Sequence, residues 1–152
     1  MGSAAGQFFR VQLATPADIL GIMELDPMPT TRDLRFAYVR RVIEAGNCHV
    51  AKTEQGATVA YAVLEHTFFD HGFVSMLYVG QDYRRKGIGS LLMSHLEGLC
   101  ATPKLFTSTN RSNLPMLGLL PRLGYIRSGI VENLDDDDPE LVFVKFLTPS
   151  PR

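Results

Sequence analysis

The apolar positions of this chain fall in short runs separated by proline, glycine and polar breaks, and the runs read in turn as strands and helices. Residues 8–13 read as a short strand. Thr15-Pro16-Ala17-Asp18 then starts a helix, with threonine suited to the N-cap, proline to the first helical position and aspartate to the first turn. Ile19, Ile22 and Met23 share one face of it, and Asp26-Pro27-Met28-Pro29 breaks it. Thr30 or Thr31 caps a second helix that reaches about Ala45 and stops at Gly46. Strands are predicted over 48–53, 57–69 and 73–79, joined by turns at Glu54-Gln55-Gly56 and Asp70-His71-Gly72. A third helix is predicted over 88–99 and breaks at Thr102-Pro103. A strand over 105–109 and a helix over 113–122 follow; Pro115 sits where a first turn tolerates it, and Gly124 ends the helix. Strands over 125–131 and 141–147 flank an acidic loop.

The order β-α-α-β-β-β-α-β-α-β-β predicts an α/β fold, a mixed sheet of six to seven strands with about four helices on its two faces. Two consecutive strand-helix units, 73–99 and 104–122, place neighbouring parallel strands at the centre. The 152 residues fit one domain. Residues 1–6 read as a cloning remnant outside it and 148–152 as a loose, proline-rich tail.

Composition removes several function classes. Charged residues make up 20% and the net charge is −1, so no global field draws nucleic acid. Cys48 and Cys100 lie far apart without metal-ligand spacing, and His49, His66, His71 and His95 make no zinc pattern, so no metal is expected. No apolar run reaches the ~18 residues of a membrane span. The start of the chain lacks a basic-then-apolar signal, and a reducing, cytoplasmic setting is expected.

The chemistry concentrates at Arg84-Arg85-Lys86-Gly87-Ile88-Gly89-Ser90. This run joins a β-leaning stretch, 73–79, to the third helix. The first amides of a helix have no internal partner and the dipole there is positive, so a strand ending in a basic, glycine-bearing turn is an anion site. Gly87 and Gly89 lack Cβ atoms, which lets a phosphate reach the backbone amides. The pattern is neither a P-loop nor a dinucleotide fingerprint. A solvated basic turn capped by glycine is the bland alternative.

With these residues in place the chain resembles the GNAT superfamily of acetyl-CoA-dependent N-acetyltransferases. The first matching block is Tyr78-Val79, Tyr83-Arg84-Arg85-Lys86-Gly87-Ile88-Gly89-Ser90 and Leu91-Leu92. The family places a strand, Arg/Gln-x-x-Gly-x-Gly/Ala and a helix there. The second block, Asn113-Leu114-Pro115-Met116 with Leu119-Leu120-Pro121-Arg122-Leu123-Gly124-Tyr125, is similar to the family's Asn-x-x-Ala…Leu-Tyr-x-Lys-x-Gly-Phe. The element order matches from about Phe8 to Leu147.

The resemblance implies roles. Amides from Arg85 to Ser90 would hold the CoA pyrophosphate. Backbone groups of Leu77 and Val79, beside Tyr78, would pair with the pantetheine arm as with an added strand. In the family a bulge splays this strand from the one at 105–109, and the thioester lies in that gap. The Val79 amide would donate to the oxyanion. Asn113 would bond the arm from the other side, or would only cap its helix. The acceptor would be a primary amine, on a small molecule, a peptide or a protein, attacking directly in a ternary complex. A monomer or homodimer is expected, with no nucleic-acid or membrane partner.

Two family features are missing. The tyrosine usually offered as acid to the leaving thiolate is replaced by Leu120, with Ser108, Tyr125 or water as substitutes. The family's glutamate near the start of the central strand is replaced by Gly72-Phe73; Glu65, His66, Asp70 and His71 are the nearest candidates for the base. Glu65 and His66 are adjacent on a strand, so at most one faces a cleft. The run Asp135-Asp136-Asp137-Asp138, without EF-hand spacing, is either a solvated loop or a negative rim that attracts a cationic acceptor. These departures leave a non-catalytic acyl-CoA-binding module as the alternative to an enzyme.

Overall fold

The computed structural model describes residues 7–27 and 30–147. The reading of residues 1–6 as a remnant, of 148–152 as a loose tail and of Met28-Pro29 within the break after the first helix therefore lies outside the described residues.

The elements run β1 (Phe9–Leu13), α1 (Ile19–Leu25), α2 (Arg32–Glu44), β2 (Cys48–Thr53), β3 (Thr58–Phe68), β4 (His71–Val79), α3 (Ile88–Leu99), β5 (Lys104–Asn110), α4 (Leu114–Arg122), β6 (Ile126–Val131) and β7 (Glu140–Phe146). The seven strands form one mixed sheet in the order β1-β2-β3-β4-β5-β7-β6. The chain divides into two compact units. One takes the N-terminal part through Val63 with Met76–His95; the other takes Leu64–Ser75 with the chain from Leu96 onward.

In the first unit β1 and β2, and β2 and β3, pair antiparallel. Pro16–Asp18 makes one turn of 3-10 helix ahead of α1, so the α-helix starts later than the cap at Thr15 predicts. The Asp18 carboxylate explains the tight turn: it accepts the Thr15 backbone N–H at 2.8 Å and meets Lys52 Nζ at 2.6 Å. Thr31, not Thr30, caps α2 by accepting the Leu34 N–H at 3.2 Å. Ile22, Val39, Val42, Val50 and Tyr61 are fully buried between these elements.

In the second unit β4 and β5 are parallel, as the two strand-helix units predict, and β7 runs antiparallel to both β5 and β6. The β3–β4 turn is one position off the prediction. Phe69 and Asp70 form it, with φ of 50° and 63°, while His71 and Gly72 belong to the strand. Two left-handed residues in a two-residue loop match the twist of the flanking strands. Gly72 pairs with Leu105, and a Cβ there would clash with Cys100 Sγ.

Register divides this unit's sheet into two faces. Phe73, Phe106 and Val144 align on one; Val74, Thr107 and Phe143 align on the other. The second face is closed by the end of α3: the Tyr125 hydroxyl donates to Glu97 Oε2 at 2.8 Å and Lys145 Nζ to Glu97 Oε1 at 3.0 Å.

Candidate functional site

The strand-turn-helix at 73–99 holds its predicted shape. Gly80 closes β4: its N–H reaches Val59 O at 2.8 Å, and an added Cβ would lie 2.5 Å from Leu25 Cδ1. Arg85 and Gly87 are left-handed, with φ of 64° and 80°. A Cβ on Gly87 would meet nothing within 4 Å, so the turn is open where its backbone faces outward. Ile88 is buried at 2% exposure and anchors the helix start. The first helical bond runs from Leu91 N–H to Gly87 O at 3.0 Å, which leaves the amides of Ile88, Gly89 and Ser90 without helical partners.

The three cations divide. Arg84 turns back: its Nε donates to Val79 O at 3.2 Å and its guanidinium lies 5.5 Å from the Tyr78 ring centroid. It fixes the end of β4. Arg85 and Lys86 are exposed and form no ion pair among the described residues. The Tyr78 side chain packs on the first unit's core beside Tyr61, so its part in any ligand contact falls to its backbone. The β4–β5 ladder ends at the pair Val74 and Thr107, and Leu77 and Val79 lie beyond its last rung.

The acid-base candidates do not converge. Glu65 is half-buried on β3. His66 accepts the Ala101 N–H on Nε2 at 3.0 Å, which fixes the loop after α3. Asp70 is a turn residue. His71 Nδ1 donates to Phe69 O at 2.9 Å, and its ring stands edge-on to Phe106 at 5.9 Å. Tyr125 is buried and donates to Glu97; burial first, then that bond, raise its hydroxyl above the ordinary tyrosine range. Asn113 takes the capping role, accepting the Met116 N–H at 3.3 Å. Leu120 is fully buried.

One carboxylate was not weighed in the sequence. Glu140, first residue of β7, is half-buried and accepts the Ser108 hydroxyl at 2.7 Å. The signal was the alternation of β7, which puts Glu140 on the face of Val142 and Val144. The acidic loop is strapped to the start of α4: Asn110 donates to Asp135, and Ser112 donates to Asp138 through both N–H and hydroxyl. An open cavity of about 600 Å³ lies against Arg111, Glu132 and Asp135–Asp138. Among the described residues no group of three or more His, Cys, Asp and Glu could hold a metal ion, and no helix is long and apolar enough to cross a membrane.

His49 and His95 form a second polar contact in the first unit, with His95 Nε2 3.2 Å from His49 Nδ1. Burial, and then the neighbouring His95, lower the His49 imidazole from 6.5 to about 4. The folded chain thus resists protonation that the unfolded chain accepts. The contribution of this group to stability should be full above pH 6.5 and be lost as pH falls toward 4, by about 3 kcal/mol. Urea melts at steps between pH 7 and 4 should show that loss, and His49→Gln should flatten it; an equal slope in the variant would rule out His49 as the cause.

The fold is a mixed α/β sheet with an open, basic strand-turn-helix at 73–99. The sequence model of the Acetyltransferase (GNAT) family matches residues 18–125, and the chain belongs to that family. A GNAT-family acetyltransferase of Bacillus cereus ATCC 10987 shares 34% identity and superposes with a TM-score of 0.85, over 93% of this chain and 99% of its own. At 18% and 17% identity the likeness is one of fold. The protein yncA of Salmonella typhimurium, solved with its cofactor acetyl-CoA, gives a TM-score of 0.75 over 95% of this chain and 97% of its own. The ribosomal-protein-S18-alanine N-acetyltransferase of Escherichia coli gives 0.76 over the same shares, 95% and 97%. No curated protein sequence matches the chain.

Proposed function

We propose that the protein transfers the acetyl group of acetyl-CoA to a primary amine by direct attack in a ternary complex, in the cytoplasm. The observation that carries this reading is the turn from Arg84 to Ser90. The residues fit a pyrophosphate: amides without helical partners at 88–90, no Cβ over Gly87, and two exposed cations without ion pairs. Leu77 and Val79, beyond the β4–β5 ladder, are suited to hold an extended arm by their backbone groups. Acetyl-CoA, when bound, supplies the thioester carbonyl. The Val79 amide is the proposed oxyanion donor, and Arg84 donates to the Val79 carbonyl, in the next peptide unit, which anchors the end of β4. The acceptor is a small-molecule, peptide or protein amine.

No side chain at Leu120 can protonate the thiolate. A CoA thiol, at about 8.5 by analogy with cysteine, leaves unprotonated or with water as acid. The buried Leu120 is also the one observation that favours a non-catalytic acyl-CoA-binding module. Release of thiol from acetyl-CoA in the presence of mixed amines decides between the two: its absence, with acetyl-CoA still bound, would leave the module.

The charge on the turn gives a further prediction. Exposed cations are screened within about 8–10 Å at ordinary ionic strength. CoA affinity should fall as salt rises, and Arg85→Ala and Lys86→Ala should each reduce that dependence. Dephospho-CoA should depend less on salt than CoA if either residue meets the 3′-phosphate. Equal slopes for the two ligands by calorimetry would remove that contact.

A further inference from the structure

The sheet face of the second unit that carries Phe73 and Phe106 lies opposite the face where Glu97 of α3 bonds Tyr125 and Lys145. Cys100, just after α3, lies on that opposite face too, against Gly72. On the Phe73 face Phe68 stacks on Phe73 at 4.7 Å and meets Phe106 at 5.1 Å. Phe68 and Phe106 border an open cavity of about 340 Å³, lined also by His71, Lys104, Ile130 and Val142. That volume is within the range of ligand pockets, about 300–1,000 Å³.

The face is polarised along β5 and β7. At one end Lys104 places its ammonium 5.5 Å from the Phe146 ring centroid. At the other end Ser108 and Glu140 lie on the same face as Phe106 and Val142, because register pairs Ser108 with Val142 and Asn110 with Glu140. The Ser108 hydroxyl occupies Glu140 Oε2, and Oε1 has no partner among the described residues. A cation entering this groove is repelled from the Lys104 end and attracted to Glu140. An apolar body beside that cation has the aromatic rings to cover it.

We propose that this groove is the acceptor site. It takes an amine whose ammonium pairs with Glu140 and whose body is apolar and ring-sized, lying along Phe68, Phe106 and Val142. Glu140 is then the specificity-determining residue, and Ser108 is a positioning residue that holds its carboxylate. The inference rests on the proposed acetyl transfer for calling the amine an acceptor, but not for its binding.

The test uses 2-phenylethylamine, n-propylamine and 3-phenylpropionate as probes. Calorimetry should find that the full chain binds 2-phenylethylamine about tenfold or more tightly than n-propylamine and does not bind the propionate. Glu140→Gln keeps an oxygen for Ser108, so its melting point should hold. It should weaken amine binding about ten- to a hundredfold, the worth of one hydrogen bond to a charged group. In thiol-release assays the loss should appear in KM with kcat kept, and Phe106→Ala should erase the preference for the ring. Amine affinity unchanged in Glu140→Gln would overturn the proposal, as would a dimer in sedimentation that Phe106→Glu dissociates, since a second copy would then cover the groove. Amine binding as expected with no thiol released would overturn the acetyl transfer and leave the site standing.

Discussion

Acetyl-CoA should bind the Gly87→Val variant at least about tenfold more weakly than the unaltered chain. Gly87 has φ of 80°, a left-handed conformation that costs an L residue about 1–2 kcal/mol and a β-branched one more. The strain falls on the peptide that opens α3, where the amides of Ile88, Gly89 and Ser90 have no helical partners. The added side chain would also project into space that is open in this structure, on the path a phosphate needs to reach those amides. Each 1.4 kcal/mol lost is a factor of ten in affinity. Gly46 supplies the control. It has φ of 75° and nothing within 4 Å of a built Cβ, and it ends α2 rather than opening α3. Gly46→Val should lower the melting point comparably and leave the CoA affinity unchanged. Calorimetry on both variants checks this; equal affinities for Gly87→Val and the parent would mean that CoA does not use the turn.

Leu120→Tyr should lose about 1–3 kcal/mol of stability and gain no transfer rate. Leu120 has zero exposure and lies one turn from the buried Tyr125, whose N–H bonds to the Leu120 carbonyl at 3.0 Å. A ring and a hydroxyl must enter a packed core, where overpacking costs about that much and the hydroxyl needs a partner. For a domain of this size each kcal/mol moves the melting point by roughly 2–4 °C. Single-turnover transfer measured on the same variant should match the parent. A faster chemical step with an unchanged melting point would show that position 120 still opens toward the sulfur and that the leucine removed a working acid.

The strand-turn-helix at 73–99 was legible because its parts are neighbours in the chain. A strand, two glycines, three cations and a helix start are read in order, and the i to i+4 bond at Gly87 needs only the residues that follow it. The same locality explains why β2 at Cys48–Thr53 and α3 at Ile88–Leu99 fall where predicted. The β3–β4 turn slipped by one position because Asp70-His71-Gly72 and Phe69-Asp70 are both acceptable turn chemistry. What separates them is the pairing of Gly72 with Leu105, 33 residues on.

The acid-base candidates were not legible in this way. Tyr125 reads as a free phenol until Glu97, 28 residues away, takes its proton's direction. Whether Asn113 caps its helix is decided by the Met116 N–H, which its Oδ1 accepts at 3.3 Å. Glu140 reads as the end of an acidic loop until the antiparallel β5–β7 register brings Ser108 beside it. The sequence by itself determined the element order, the parallel pairing of β4 with β5, and the strand-turn-helix with its exposed backbone amides, because caps, glycines and short periods act within a few residues. Tertiary structure alone decided which polar groups are spoken for and which face of the sheet carries an unspent carboxylate. Those choices follow from strand register, and a shift of one residue in register exchanges every side chain between the two faces.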